Sequence, residues 1–135
     1  MTLAFTSRAG RGALAASIVA SGMAFLDSSI VTVAAPHIAA DLGGGFASMQ
    51  WVVDGYLLTL GALVLVGGAM GDLLGKRRVF IAGTLCFGVA SVLCGLAPTM
   101  PALIGARMAQ GACAAFMVPT SLALLNAVFA DADRG

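Results

Sequence analysis

Residues 51–78 read WVVDGYLLTLGALVLVGGAMGDLLGKRR. From Trp51 to Gly71 the stretch holds a single charged residue, Asp54. A hydrocarbon core about 30 Å thick takes about 20 helical residues at about 1.5 Å each. These residues therefore predict a membrane-crossing helix. Trp51 opens it, with an amphipathic ring suited to the water–lipid boundary. The run stops at Asp72-Leu-Leu-Gly75-Lys76-Arg77-Arg78, where charge makes further burial in lipid costly.

The same pattern recurs on both sides. A first apolar run covers 12–35, the second is 51–71, a third covers 79–97 and a fourth 101–129. Between them lie an external loop at 36–50 with Asp41 and Gly43-Gly44-Gly45, the charged loop 72–78, and an external turn at 98–100 between Pro98 and Pro101. Residues 1–11 and 130–135 form the cytoplasmic N-terminus and tail. Pro119 offers the long fourth run a place to bend. The expected fold is an all-α membrane protein with four transmembrane helices.

Composition agrees. Of 135 residues, 60% are hydrophobic and only 10% charged, against about 25% charged in soluble domains. Seven Lys and Arg nearly balance six acidic residues, all Asp. No basic patch for nucleic acid and no acidic tail is present. Cys86, Cys94 and Cys113 lie inside apolar runs without C-x-x-C or Cys/His spacing, which predicts buried thiols, no metal site and no disulfide framework. No P-loop, G-x-S-x-G or H-E-x-x-H pattern occurs, so an enzyme is not expected.

Orientation follows from the cations. With four spans, Arg8, Arg11, Lys76, Arg77, Arg78 and Arg134 all fall on one side, and the opposite loops carry no Lys or Arg. The positive-inside rule makes that side cytoplasmic. A cleaved signal peptide fits the first run poorly, because Asp27 interrupts it and the run exceeds the usual apolar core of about 7–15 residues.

Charges inside the runs are the functional candidates, since each costs about 2.5–3.5 kcal/mol on insertion scales. Asp27 stands about 12 Å from Ala35 along the first helix, with the hydroxyls of Ser28, Ser29 and Thr32 nearby. Arg107 stands about nine residues, roughly 13 Å, beyond Pro98 of the external turn, and shares its face with Gln110 and Gly111. Both lie in the outer half of the membrane, so Asp27 is a candidate partner for Arg107. A purely structural ion pair is the plainer alternative. Asp54, three residues into its helix, also suits a wet interface. Gly67, Gly71 and Gly75 recur every four residues and leave a bare face for close helix packing.

Three motifs coincide in order and place with those of the major facilitator superfamily. Gly68, Asp72, Gly75, Lys76 and Arg77 resemble its G-x-L-A-D-R-x-G-R-K/R loop between the second and third helices, with Leu73 where Arg is usual. Arg107, Gln110 and Gly111 resemble its R-x-x-Q-G pattern in the fourth. Leu26-Asp27-Ser28-Ser29-Ile30-Val31-Thr32-Val33-Ala34-Ala35-Pro36 resembles the L-D-x-T-I-V-N-V-A-L-P motif of the fourteen-helix drug–proton antiporters, and Trp51-Val-Val-Asp54-Gly-Tyr56 resembles their second-helix entry.

The resemblance implies the first part of an N-terminal six-helix bundle, hence an N-terminal fragment of a longer, secondary active transporter working by alternating access. It implies no cofactor, with a proton gradient as energy source. The implied partners are the lipid bilayer, protons and a small amphipathic substrate, in a bacterial inner membrane. It places Asp27, Arg107, Gln110 and Asp54 in the proton-coupling cavity. Gly68, Asp72, Gly75, Lys76, Arg77 and Arg78 become a cytoplasmic latch, and Gly67, Gly71 and Gly111 helix-packing positions. Two rival readings are a complete four-helix dimeric multidrug transporter and a non-transporting membrane scaffold. The first is disfavoured by the absence of Glu, and the second by the cost of unused buried charge.

Overall fold

The computed structural model describes residues 8–129, with side chains from 11 to 127. Four helices follow one another: α1 (Arg8–Leu42), α2 (Phe46–Leu74), α3 (Lys76–Gly95) and α4 (Met100–Phe129). Each is long and apolar enough to cross a membrane. α3, at 20 residues, is about 30 Å long, one hydrocarbon thickness. The other three exceed it, which tilt or protrusion accommodates.

The helices outrun the apolar runs. Residues 36–50 are not an extended loop; only 43–45 are non-helical. α1 continues through Pro36 and closes at Gly43, whose φ of +67° is the left-handed conformation that glycine adopts without cost. Residues 72–78 likewise shrink to one break, Gly75, at φ +96°. Asp72 belongs to the last turn of α2, and Lys76, Arg77 and Arg78 open α3. Charge ends burial in lipid but does not end a helix, which explains both differences. The turn between α3 and α4 occupies 96–99, with α3 ending at Gly95 and α4 starting at Met100. Residues 1–7 and 130–135, with Arg134 among them, lie outside the described residues.

α4 is the hub. It packs along α2 and α3, and less extensively against α1, while α1 barely meets α2. Glycine makes the α2–α4 seam possible. A Cβ on Gly67 would strike the Ala115 carbonyl, and one on Gly111 would strike the Tyr56 carbonyl and Thr59 hydroxyl. Gly71 faces the Thr120 methyl at a distance that leaves no room for a side chain. Gly83 sets α3 against Met117 in the same way. At Gly75, by contrast, a Cβ would meet no neighbour, and the residue forms the break between α2 and α3. Around these contacts Ala20, Tyr56, Phe80, Phe87, Ala114 and Met117 form the main core, with Val52, Met100 and Leu103 as a second cluster nearer the α3–α4 turn. Large apolar side chains such as Phe25, Val33 and Leu65 point outward, as expected where lipid replaces water.

Gly67→Val should force α2 off α4 and lower stability by about 1–3 kcal/mol, the usual range for overpacking. Gly61→Ala, whose Cβ would meet open space, should leave it unchanged. Thermal unfolding of the purified protein in detergent measures both.

Candidate functional site

Asp27, Arg107 and Gln110 meet between α1 and α4. Asp27 is central in α1, with its side chain 17% exposed, while that of Arg107, seven residues into α4, is 2% exposed. Arg107 Nη1 donates to Asp27 Oδ2 at 2.5 Å and to Gln110 Oε1 at 2.8 Å. Its Nε donates to the Val52 carbonyl at 3.2 Å. The guanidinium carbon stands 4.5 Å from the Tyr56 ring centroid. Val52 and Tyr56 are one helical turn apart on α2, so both face Arg107. A buried charge is tolerated when paired and hydrogen-bonded, and this one is both.

Gln110 is fully engaged. Its Nε2 donates to Asp27 Oδ1 and to Ser91 Oγ, each at 2.7 Å. Its Oε1 accepts from Arg107 and from the Cys94 thiol at 3.4 Å. All four hydrogen-bonding positions of the amide are thus used. A flipped amide would set its oxygen against the carboxylate and its N–H groups against the cation, so the ion pair fixes its sense. Ser91 and Cys94 bring α3 into the cluster. A cleft of about 400 Å³ opens beside it, lined by Asp27, Arg107 and Ser91 with apolar residues of α1 including Leu26, Ile30 and Val31.

The cluster gathers three of the four polar candidates in the runs. Asp54 is apart from it. It sits on the other side of α2 from Val52 and Tyr56, in a separate shallow depression with Leu57 and Leu58. Ser91, Tyr56, Cys94 and the Val52 carbonyl are not among the site residues expected from the sequence. An uncharged hydroxyl, ring or thiol within an apolar run carries no cost that marks it out, and a carbonyl carries no sequence signal at all.

At the α2–α3 break, Asp72 Oδ1 lies 3.7 Å from Lys76 Nζ, and both side chains are largely exposed. Exposed pairs of this kind contribute about 0–1 kcal/mol. Arg77 and Arg78 are exposed beside them, and Gly68 touches Pro119 one turn further in. Among the described residues no three His, Cys or carboxylate groups gather to hold a metal.

Four membrane-length helices thus bury a carboxylate–guanidinium–amide cluster among them. The sequence profile of the Major Facilitator Superfamily matches residues 17–135, and the chain belongs to that family. It is 42% identical over 107 residues to a probable actinorhodin transporter of Streptomyces coelicolor, covering 79% of this chain and 18% of that protein. It is 42% identical to a cephamycin export protein of Amycolatopsis lactamdurans, over 90% of this chain and 25% of that protein. A puromycin resistance protein of Streptomyces alboniger is also 42% identical, over 87% and 24% respectively. The chain thus spans about a fifth to a quarter of the length of these curated relatives. None of the three is named as an enzyme.

Proposed function

We propose that these four helices are the N-terminal part of a proton-coupled exporter of small amphipathic compounds. The observation that carries this reading is the Asp27–Arg107 pair, held deep in a bundle of membrane-length helices and open to a cleft. The similarity to proteins named for probable transport of actinorhodin, export of cephamycin and resistance to puromycin supports an antibiotic-like organic substrate.

Coupling follows from charge. A proton reaching Asp27 through the cleft bonds to a carboxylate oxygen and cancels its charge. Arg107 Nη1 then faces a neutral acid in place of an anion. α1 loses the attraction that ties it to α4, and the bundle is free to take a second arrangement. Loss of the proton restores the pair. Substrate that stabilises one arrangement therefore exchanges against the proton, which is antiport by population shift. A purely structural ion pair would show none of this.

In the whole transporter, Asp27→Asn should abolish substrate-induced proton release from detergent-solubilised protein while keeping substrate binding. Undiminished release would place the coupling proton elsewhere.

The one-sided cations support an inner-membrane orientation with the N-terminus in the cytoplasm. A cysteine at Gly45, introduced into a background without Cys86, Cys94 and Cys113, should react with impermeant maleimide in intact cells, and one at Ser7 should not. The reverse pattern would invert the topology.

A further inference from the structure

Arg107 rests on four supports, of which only one belongs to α1. Gln110 Oε1 is on its own helix, and the Val52 carbonyl and the Tyr56 ring are on α2. We infer that Tyr56 is a positioning residue for proton coupling, whose ring keeps Arg107 in place while Asp27 carries a proton. The inference rests on the proton-coupled reading above.

Protonation of Asp27 leaves Arg107 as a cation with almost no access to solvent. A guanidinium in that position needs another source of negative potential or it must move. The face of an aromatic ring is one, and its quadrupole does not change when the carboxylate is neutralised. At 4.5 Å the Tyr56 ring lies within the roughly 6 Å over which this attraction is significant. The ring is only 5% exposed, which removes the competing water that weakens such contacts at surfaces.

The backbone holds the ring there. Gly111 of α4 lies against the Tyr56 carbonyl, and Gly55 of α2 lies against Met108 and Ile104 of α4. Glycine on each helix, Gly55 beside Tyr56 and Gly111 one turn from Arg107, thus brings α2 and α4 together where the ring covers the guanidinium. The Tyr56 hydroxyl makes no hydrogen bond to protein among the described residues, so the ring face is the operative part. On this reading the proton detaches α1 from the cluster and leaves Arg107 with α2 and α4.

The test replaces ring electron density without altering shape. In the whole transporter, position 56 is changed by Tyr56→Phe and then to mono-, di- and trifluorinated phenylalanine, which progressively drain the ring face. Substrate-induced proton release and substrate binding are measured for each. Tyr56→Phe should stay within about twofold of wild type, and release should fall stepwise to about a tenfold loss with the trifluorinated ring, as a desolvated cation–π contact requires. Binding should persist throughout. A flat response to fluorination, or a Tyr56→Phe variant as defective as the trifluorinated one, would overturn the role. Asp27→Asn in the same assay separates the two readings. If it abolishes release while the fluorinated series is flat, only the Tyr56 role fails. If it leaves release intact, the proposed coupling site itself fails.

Discussion

A guanidinium with 2% exposure, seven residues into a membrane-length helix, imposes more on this bundle than any other group. Water cannot compensate it, so other helices must. Asp27 supplies the opposite charge, Gln110 and Val52 supply oxygens, and Tyr56 supplies a ring face. Three helices are thereby bound to α4 through one side chain and the amide next to it. The dependence is sharpest for α1. Its Ser28, Ser29 and Thr32 hydroxyls turn back to carbonyls of α1 itself. Among the described residues, Asp27 alone ties α1 to another helix by side-chain hydrogen bonds.

The other contacts make this arrangement asymmetric. Lipid gives helices little hydrophobic reason to associate, so close packing of small residues must hold them. Gly67, Gly71 and Gly111 provide it between α2 and α4, and Gly83 provides it between α3 and α4. Among the described residues, the glycines of α1 make no such close approach. The result is a firmly packed α2–α3–α4 unit, to which α1 adds Ala20 and a few flanking apolar side chains and is joined by the Asp27–Arg107 pair.

Much of this was readable from residue types. Four apolar runs and the cations between them mark four helices, because a bilayer admits few alternatives. Asp27, Arg107 and Gln110 stand out because lipid penalises them. The helix ends were less legible. The His37–Gln50 segment looks like a loop because it leaves lipid, yet it folds as helix except at 43–45, since Gly43 is the point where a left-handed residue is available. Gly75 looked like one of a packing series with Gly67 and Gly71, but its φ of +96° makes it the break between α2 and α3. Asp54 carries the same charge as Asp27 but faces away from Arg107. Polarity alone does not distinguish the two; the register of α2 against α4 does. Ser91 and Tyr56 become functional candidates only through their distances to Gln110 and Arg107.

The central claim is that Asp27 and Arg107 are energetically coupled, and a double-mutant cycle measures that directly. Asp27→Asn, Arg107→Met and the double variant are compared with wild type by unfolding in detergent. Each single change strands one half of a buried pair, so the two effects should not add. The account predicts an interaction energy of about 1–3 kcal/mol, with the double variant more stable than the sum of the singles implies. Additivity within about 0.5 kcal/mol would mean that the two charges do not depend on each other. It would contradict the view that one ion pair fastens α1 to the bundle.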